Sequence, residues 1–457
     1  MSIGGVFVLE KILIANRGEI AVRIIRACRE MGIRTVAVFS EPDKDALHTQ
    51  LADEAVCIGP AKGTESYLNM QNIISAAVLK KAQAIHPGFG FLAENSTFAT
   101  MCEECNIKFI GPDAITIDEM GNKSNARQLM IKANVPVIPG SDGIVNNIDE
   151  AYKIADDLGY PIIVKAAAGG GGKGIRIVRE KNELSKAFEA ARNETIVSFG
   201  DDTMYIEKLI ENARHIEVQV LGDNFGNIIH LGERDCSIQR RNQKILEEAP
   251  SPVLSEEVRI EMGEAAIRAA KIVNYKGAGT IEFLYEENSQ KFYFMEMNTR
   301  IQVEHPITEM ITGIDIVKEQ IRIASNEPLT ISQSDIIIKG HSIECRINAE
   351  NPSKNFAPSP GKIDYIFMPS GGIGLRVDSA VYAGYTIPPY YDSMIAKVIT
   401  YGCDRKEAIA KMKRALEEFV IHGIDTNIEF HETILNNKLY LEGKFDTSFI
   451  GREIRRQ

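Results

Sequence analysis

The chain lacks an excess of positive charge. Lys and Arg number 52 against 63 Asp and Glu, a net charge of −11. General binding to nucleic acid or to an anionic membrane needs basic surface and is not expected, although a local basic pocket stays open. No apolar run is long enough to span a bilayer. The first nine residues are partly apolar but have no basic leader and no small-residue cleavage site, so they read as extra strand. The seven cysteines are scattered and odd in number, which does not suit a disulfide scaffold and fits a reducing cytoplasm. Cys102 and Cys105 have no second pair at zinc-site spacing. With Phe98 and Met101 they fall instead at the spacing of a buried helical stripe. Two nucleotide motifs are also missing. The turn Asn16-Arg17-Gly18 has no G-x-G-x-x-G, which speaks against a dinucleotide site. The glycine run 169–172 follows Ala167 and Ala168 and precedes Lys173-Gly174, so it is no Walker A loop.

What is present is a chain of 457 residues, too long for one core, for which about two to four domains are expected. Residues 11–40 read as strand, helix and strand. Ile20, Ala21, Ile24, Ala27, Cys28 and Met31 recur at helical spacing, and Gly32 stops the helix. Alternation of this kind to about residue 120 predicts an α/β fold that opens with a Rossmann-like parallel sheet. A glycine-rich lid is expected over 138–208 within a unit spanning 121–330. Strands are expected at 215–221, 227–231, 279–285 and 292–298, and helices near 256–273 and 314–324. A C-terminal domain with a mixed sheet is expected over 336–450. Its late helix begins at the cap Asp404, with Glu407 three residues on and a stripe of Ala408, Met412, Ala415, Leu416 and Phe419.

The chemistry concentrates in residues 296–305. Glu296, Asn298, Arg300, Gln302 and Glu304 alternate with mostly apolar neighbours and would share one face of an extended segment. A solvated strand alternates too. The choice of groups is what stands out: acids and an amide for a hard cation, then Arg, amide and acid for a small oxyanion. Glu282 lies on a strand able to pair with 292–298 as a hairpin. Glu282, Glu296 and Asn298 are apt Mg²⁺ ligands. The glycine run, flanked by Lys165 and Lys173, suits a phosphate-covering flap, with a surface hairpin as the bland alternative. Glu207 with Lys208 fits either an adenine hinge or a strand-edge ion pair. Residues 233–244 form a local basic knot able to neutralise phosphate or a carboxylate, or else a solvated face. Lys123 and Arg346 are undecided by their neighbours alone.

Together these segments resemble biotin carboxylase, the ATP-grasp subunit of biotin-dependent carboxylases, from about residue 11 to about 450. The resemblance rests on the motifs at 14–21, 86–95, 233–237, 296–305, 344–350 and 388–394 and on the glycine flap. It implies an ATP site at Lys123, Lys165, Gly171, Gly172, Glu207, Lys208, Leu209, Ile210, His215, Gln239, Asn242, Glu282, Leu284 and Glu296. It implies Mg²⁺ or Mn²⁺, two ions in number, on Glu282, Glu296 and Asn298. Lys244, Arg300, Gln302 and the backbone of Val303 would hold bicarbonate, Glu304 would be the base, and Arg346 with Arg300 would face biotin. Lys244, Arg300, Glu304 and Arg346 are then the catalytic set. The resemblance further implies a homodimer, with Arg23, Arg26 and Glu30 at its interface and Ile373 in place of an aromatic partner. Partners would be a biotin carboxyl carrier protein and carboxyltransferase subunits. The resemblance points to acetyl-CoA carboxylase, with a pyruvate or propionyl-CoA carboxylase as the alternative. The chain departs from the family at Asn242, where many members have His, at Phe89 for Tyr, and at Ala168 for a flap Gly. Lys411 and Lys413 flank Met412 on an amphipathic helix, which does not suit a biotin acceptor. The biotin is therefore expected on a separate carrier.

Overall fold

The computed structural model describes residues 2–3, 6–7, 9–166, 175–199 and 203–454. A five-stranded parallel sheet opens the fold. Its strands are β1 (Lys11–Ile14), β2 (Arg34–Ser40), β3 (Glu54–Gly59), β4 (Ala84–His86) and β5 (Lys108–Phe109), ordered β3-β2-β1-β4-β5. Helix α1 (Gly18–Glu30) buries Ile20, Ala21, Ile24, Ala27 and Cys28, the stripe its spacing predicts. Asn16, two residues past β1, ties two of the sequence motifs together. Its Nδ2 donates to the carbonyls of Pro87 at 2.7 Å and Phe89 at 2.8 Å. Gly88 sits there at φ +64°, and a Cβ would lie 2.9 Å from that Nδ2, so the close approach needs glycine. Arg17 makes a two-pronged pair with Asp43 and lies 4.3 Å over the ring of Tyr391, which brings the 388–394 motif to the same corner.

Helix α2 (Lys123–Lys132) leads to a small three-stranded sheet. Its strands are β6 (Ile162–Ala166), β7 (Arg176–Val178) and β8 (Met204–Lys208), ordered β8-β6-β7. Ile162, Val164, Met204 and Ile206 pack with Ala151, Ala155 and Phe188 of two covering helices as a separate core. The glycine loop between β6 and β7 lies outside the described residues, and with it Gly171, Gly172, Lys173 and Ala168.

The centre is one eight-stranded sheet. Its strands are β9 (Arg214–Gly222), β10 (Ile228–Arg240), β11 (Gln243–Ala249), β12 (Gly277–Glu286), β13 (Lys291–Asn298), β14 (His341–Asn348), β15 (Leu375–Ser379) and β16 (Met394–Gly402). The order is β13-β12-β9-β10-β11-β14-β16-β15. Helix α3 (Glu256–Ile272) covers one face, packing Met262, Ala266 and Ala269 on Ile216, Val218, Ile281 and Phe283. The alternating residues of the same strands face the other way and build the site. Helix α4 (His305–Thr312) follows β13 and packs Ile307 and Ile311 with Ala249 and Ile399.

The overall α/β class and the parallel N-terminal sheet agree with the sequence reading. Three details differ. The strand expected at 227–231 runs to Arg240, because its polar residues point into a charged interior rather than to solvent. The C-terminal strands are antiparallel, not mixed, and continue the central sheet across the β11–β14 seam. Cys105 is exposed at the helix end while Phe98 and Cys102 are buried, so the stripe stops one turn earlier than the spacing suggests.

The last long helix, α5 (Arg405–Glu418), begins as expected. Asp404 accepts from the Glu407 amide at 2.8 Å, while the Glu407 carboxylate reaches back to the Cys403 amide. Asp404→Ala is expected to cost about 1 kcal/mol, read as a lowered urea midpoint at unchanged slope. Met412 is fully buried and Lys411 bonds the Tyr401 carbonyl, which leaves this helix no acceptor-lysine hairpin.

Candidate active site

Cross-strand register places a row of charges on the inner face of the sheet. Glu296 on β13 opposes Glu282 on β12, Glu282 opposes Glu217 on β9, and Glu217 opposes Arg234 on β10. Like charges directly opposite one another destabilise a sheet. Three neighbouring carboxylates therefore need cations. Arg234 is fully buried and supplies one, with Nε on Glu217 at 2.5 Å and its other nitrogens on Gln219, Thr308 and Thr280. Lys244 supplies the second. Its Nζ lies 2.5 Å from Glu217, 2.8 Å from Glu282 and 2.8 Å from Glu304. His215 Nε2 stands 3.0 Å from Glu282, and its Nδ1 accepts from Gln239 at 3.0 Å.

The segment after Asn298 is not strand. β13 ends there, and α4 begins with Glu304 as its cap residue. The expected one-face alternation thus holds only as far as Asn298. The segment still converges on one place. Arg300 Nε bonds Glu94 at 2.8 Å, and its other nitrogens bond Gln302 at 2.9 Å and Asn298 at 3.0 Å. The Glu304 side chain does not cap its helix. Instead Oε1 takes Lys244, and Oε2 takes Arg346 at 2.9 Å. Arg346 also bonds Glu247 at 2.6 Å.

Burial opposes a charge on Glu304, which has no exposed surface, but Lys244, Arg346 and Arg234 outweigh it and hold the carboxyl well below the usual range. Burial dominates at Glu247 and pushes it up to about 7 against Arg346. Burial and then the Glu282 charge also raise Glu296. Burial is the larger cause, and the Glu282 carboxylate opposite adds negative charge that a divalent cation would relieve. Two carboxylates and an amide oxygen are the donor type Mg²⁺ takes, although here Asn298 donates its Nδ2 to Glu282 at 3.0 Å while its Oδ1 accepts from Arg300 at 3.0 Å.

The other expected positions are spread over several elements. Lys123 opens α2, behind the cap Asn122. Leu284 is the register partner of His215. Arg241 and Asn242, both at positive φ, form the two-residue turn between β10 and β11, so the basic knot is a hairpin whose inner end delivers Lys244. Asn242 is exposed at its tip. Lys165 and Glu207 form an ion pair between adjacent strands of the small sheet. Lys208 bonds the carbonyls of Gly159 and Tyr160, and the Leu209 amide bonds Pro161, with Ile210 next in the chain. Glu217, Glu247 and Glu94 were not singled out by the sequence, and Arg234 entered only as one cation of the basic knot. For Glu217 a signal existed: His215, Glu217 and Gln219 alternate with Ile216, Val218 and Val220.

Comparison with known proteins agrees with this architecture. Three family models cover nearly the whole chain: biotin carboxylase N-terminal domain over 8–117, carbamoyl-phosphate synthase L chain ATP-binding domain over 122–332, and biotin carboxylase C-terminal domain over 344–452. Biotin carboxylase 1 of Bacillus subtilis is 62% identical over 442 residues, covering 97% of this chain and 98% of the relative. A pyruvate carboxylase subunit of Methanothermobacter thermautotrophicus is 57% identical over 440 residues, covering 96% of this chain and 89% of the relative. The biotin carboxylase domain dimer of Hydrogenobacter thermophilus 2-oxoglutarate carboxylase, crystallised with MgADP, ADP and bicarbonate, superposes with TM-score 0.90 at 52% identity, covering 98% of each chain. By its length-wide matches and its fold, the chain belongs to the biotin carboxylase family and is an ATP-dependent ligase.

Proposed function

We propose that the residues around Glu304 activate bicarbonate for the ATP-dependent carboxylation of biotin on a carrier protein. One observation carries the reading: a fully buried carboxylate sits between Lys244 and Arg346, with Arg300 and Gln302 on the same short segment. Bicarbonate is a weak nucleophile. Lys244, Arg300, Gln302 and the Val303 backbone hold it, and Glu304 takes its proton. An arriving anion shares Lys244, which weakens that lysine's hold on Glu304 and raises its basicity. The bicarbonate oxygen then attacks the γ-phosphorus, and ADP leaves with the bridging oxygen. Carboxyphosphate breaks down to carbon dioxide and phosphate. Phosphate takes the ureido proton of biotin, Arg346 and Arg300 stabilise the resulting enolate, and its nitrogen attacks carbon dioxide.

Glu282, Glu296 and Asn298 would hold Mg²⁺ or Mn²⁺, which neutralises phosphate charge during transfer. Lys123, Lys165, Glu207, Lys208, Leu209, Ile210, His215, Gln239, Asn242 and Leu284 line the proposed nucleotide site. The Hydrogenobacter relative was crystallised with MgADP and bicarbonate, which supports these assignments. That relative is also a dimer. Arg23, Arg26 and Glu30 line one groove with Arg376 and Asp378, in keeping with the proposed homodimer face.

The test is ATP cleavage dependent on both bicarbonate and free biotin. Cleavage that biotin does not stimulate would sink the reading in favour of another ATP-grasp ligase. For the acceptor we propose acetyl-CoA carboxylase, with carboxyltransferase subunits as partners. The 57% identical pyruvate carboxylase relative supports a second reading. Reconstitution with purified carrier and carboxyltransferase decides between them. Carboxylation of pyruvate but not acetyl-CoA would replace the first with the second.

A further inference from the structure

Lys397 lies on β16 with no exposed surface. A buried ammonium is costly unless it is paired and bonded. Its Nζ donates to the Val303 carbonyl at 2.8 Å and stands 3.3 Å from Glu19 of α1. Cross-strand register sets Lys397 opposite Arg346 on β14 and opposite Asp378 on β15. One rung of the sheet therefore reaches Glu304 twice. Arg346 holds its carboxylate, and Lys397 holds the backbone just before it.

That backbone has few other anchors. It lies between the end of β13 and the start of α4, where the backbone contact is a long one, from the His305 amide to the Gln302 carbonyl at 3.4 Å. The preceding carbonyl, of Gln302, lies 2.8 Å from His305 Nδ1. Burial, then Lys397, Arg23 and Arg376, hold His305 well below its usual range, so the ring is neutral and Nδ1 carries the proton. Two successive carbonyls are thus tied to two side chains from inside the protein. Of the acids facing Lys397, Asp378 is held by both arms of Arg376, at 2.9 and 2.6 Å. Burial raises Glu344 well above the usual range, and raises Glu19 too. The Val303 carbonyl is the closer partner of the ammonium, at 2.8 Å against 3.3 Å for Glu19, and a bond from a charged donor is roughly twice as strong as a neutral one.

We propose that Lys397 is a positioning residue for bicarbonate activation: its bond to the Val303 carbonyl sets the peptide that joins Val303 to Glu304. This rests on the reading of Glu304 as the base. Loss of the bond lets that peptide turn, which moves both the Val303 backbone contact and the base. The competing role is merely to neutralise Glu19.

Three variants separate the two roles: Lys397→Met, Glu19→Gln, and the two combined, which removes both charges with little change of shape. Each is assayed for bicarbonate-dependent ATP cleavage in the presence of free biotin. Lys397→Met and the double variant are expected to show about a tenfold rise in KM for bicarbonate and about a tenfold fall in kcat, with KM for ATP within about twofold. Glu19→Gln keeps the donor and is expected to keep KM for bicarbonate within about twofold. If Lys397→Met does not fold, the double variant decides. A rise below about threefold in the folded variants, or an equal rise in Glu19→Gln, overturns the proposal. Absence of bicarbonate dependence in the wild type would sink the Glu304 reading instead, so the two failures are distinct.

Discussion

Glu304→Gln is expected to lower bicarbonate-dependent ATP cleavage by about 10²- to 10⁴-fold, the usual contribution of a positioned base. Gln has nearly the same volume, but its amide takes no proton at neutral pH. It also replaces one carboxylate oxygen by a donor. Glu304 now accepts from Lys244 on one oxygen and Arg346 on the other, so the new amide group must face a cation on one side. ATP contacts lie elsewhere in the proposed site, and ATP binding should persist. Calorimetry with ATP and a kinetic assay in rising bicarbonate check both halves. Turnover near wild type would mean that Glu304 is not the base.

Lys244→Met should fail in a second way, by weakening the fold as well as the chemistry. Three carboxylates share this ammonium. Arg234, His215 and Arg346 remain after its removal, but each already serves its own partner. Breaking a buried pair typically costs about 3–5 kcal/mol, and losing one electrostatic stabiliser about 10²- to 10³-fold in kcat. The pH dependence has a definite sign. Without Lys244 the folded-state pKa values of Glu217, Glu282 and Glu304 rise relative to the wild type. The deficit is therefore full at neutral pH and shrinks as these acids protonate on acidification. Urea midpoints of both proteins at pH 7 and pH 5 measure it. A deficit that stayed constant with pH would show that lost packing, not charge, is responsible. Arg at this position should not restore function, because a guanidinium cannot place one donor point among three carboxylates.

Local pattern carried a large part of this molecule. The β1-α1-β2 unit, the Glu282–Asn298 hairpin and the Asp404 cap all follow from periodicity and end residues. Within the motif, Arg300 bonds Asn298 and Gln302, and both of these reach Glu282. What the pattern hid was how the charges are satisfied. Lys244 joins Glu304 across 60 positions, Arg346 across 42, and Lys397 reaches Val303 across 94. Such pairs are set by which strands neighbour one another, and strand order is not written in any local segment. Glu217 reads as an ordinary alternating strand residue, and Arg234 as one cation of a basic knot, until register puts them opposite. The turn Arg241-Asn242 shows the same limit: a run of cations looked like one patch, while the hairpin sends Lys244 inward and leaves Asn242 at the tip.

The continuity of the eight-stranded sheet bears on how the protein can be dissected. A cut between residues 330 and 336 would follow the domain bounds expected from the sequence. The fragment before it would keep Glu282, Glu296, Asn298 and Lys244. It would lose Arg346 and Lys397, and it would bare the β11 edge that now pairs with β14. A long uncovered edge pairs with other chains, so such a fragment is expected to aggregate rather than to survive as a smaller ATP-binding module.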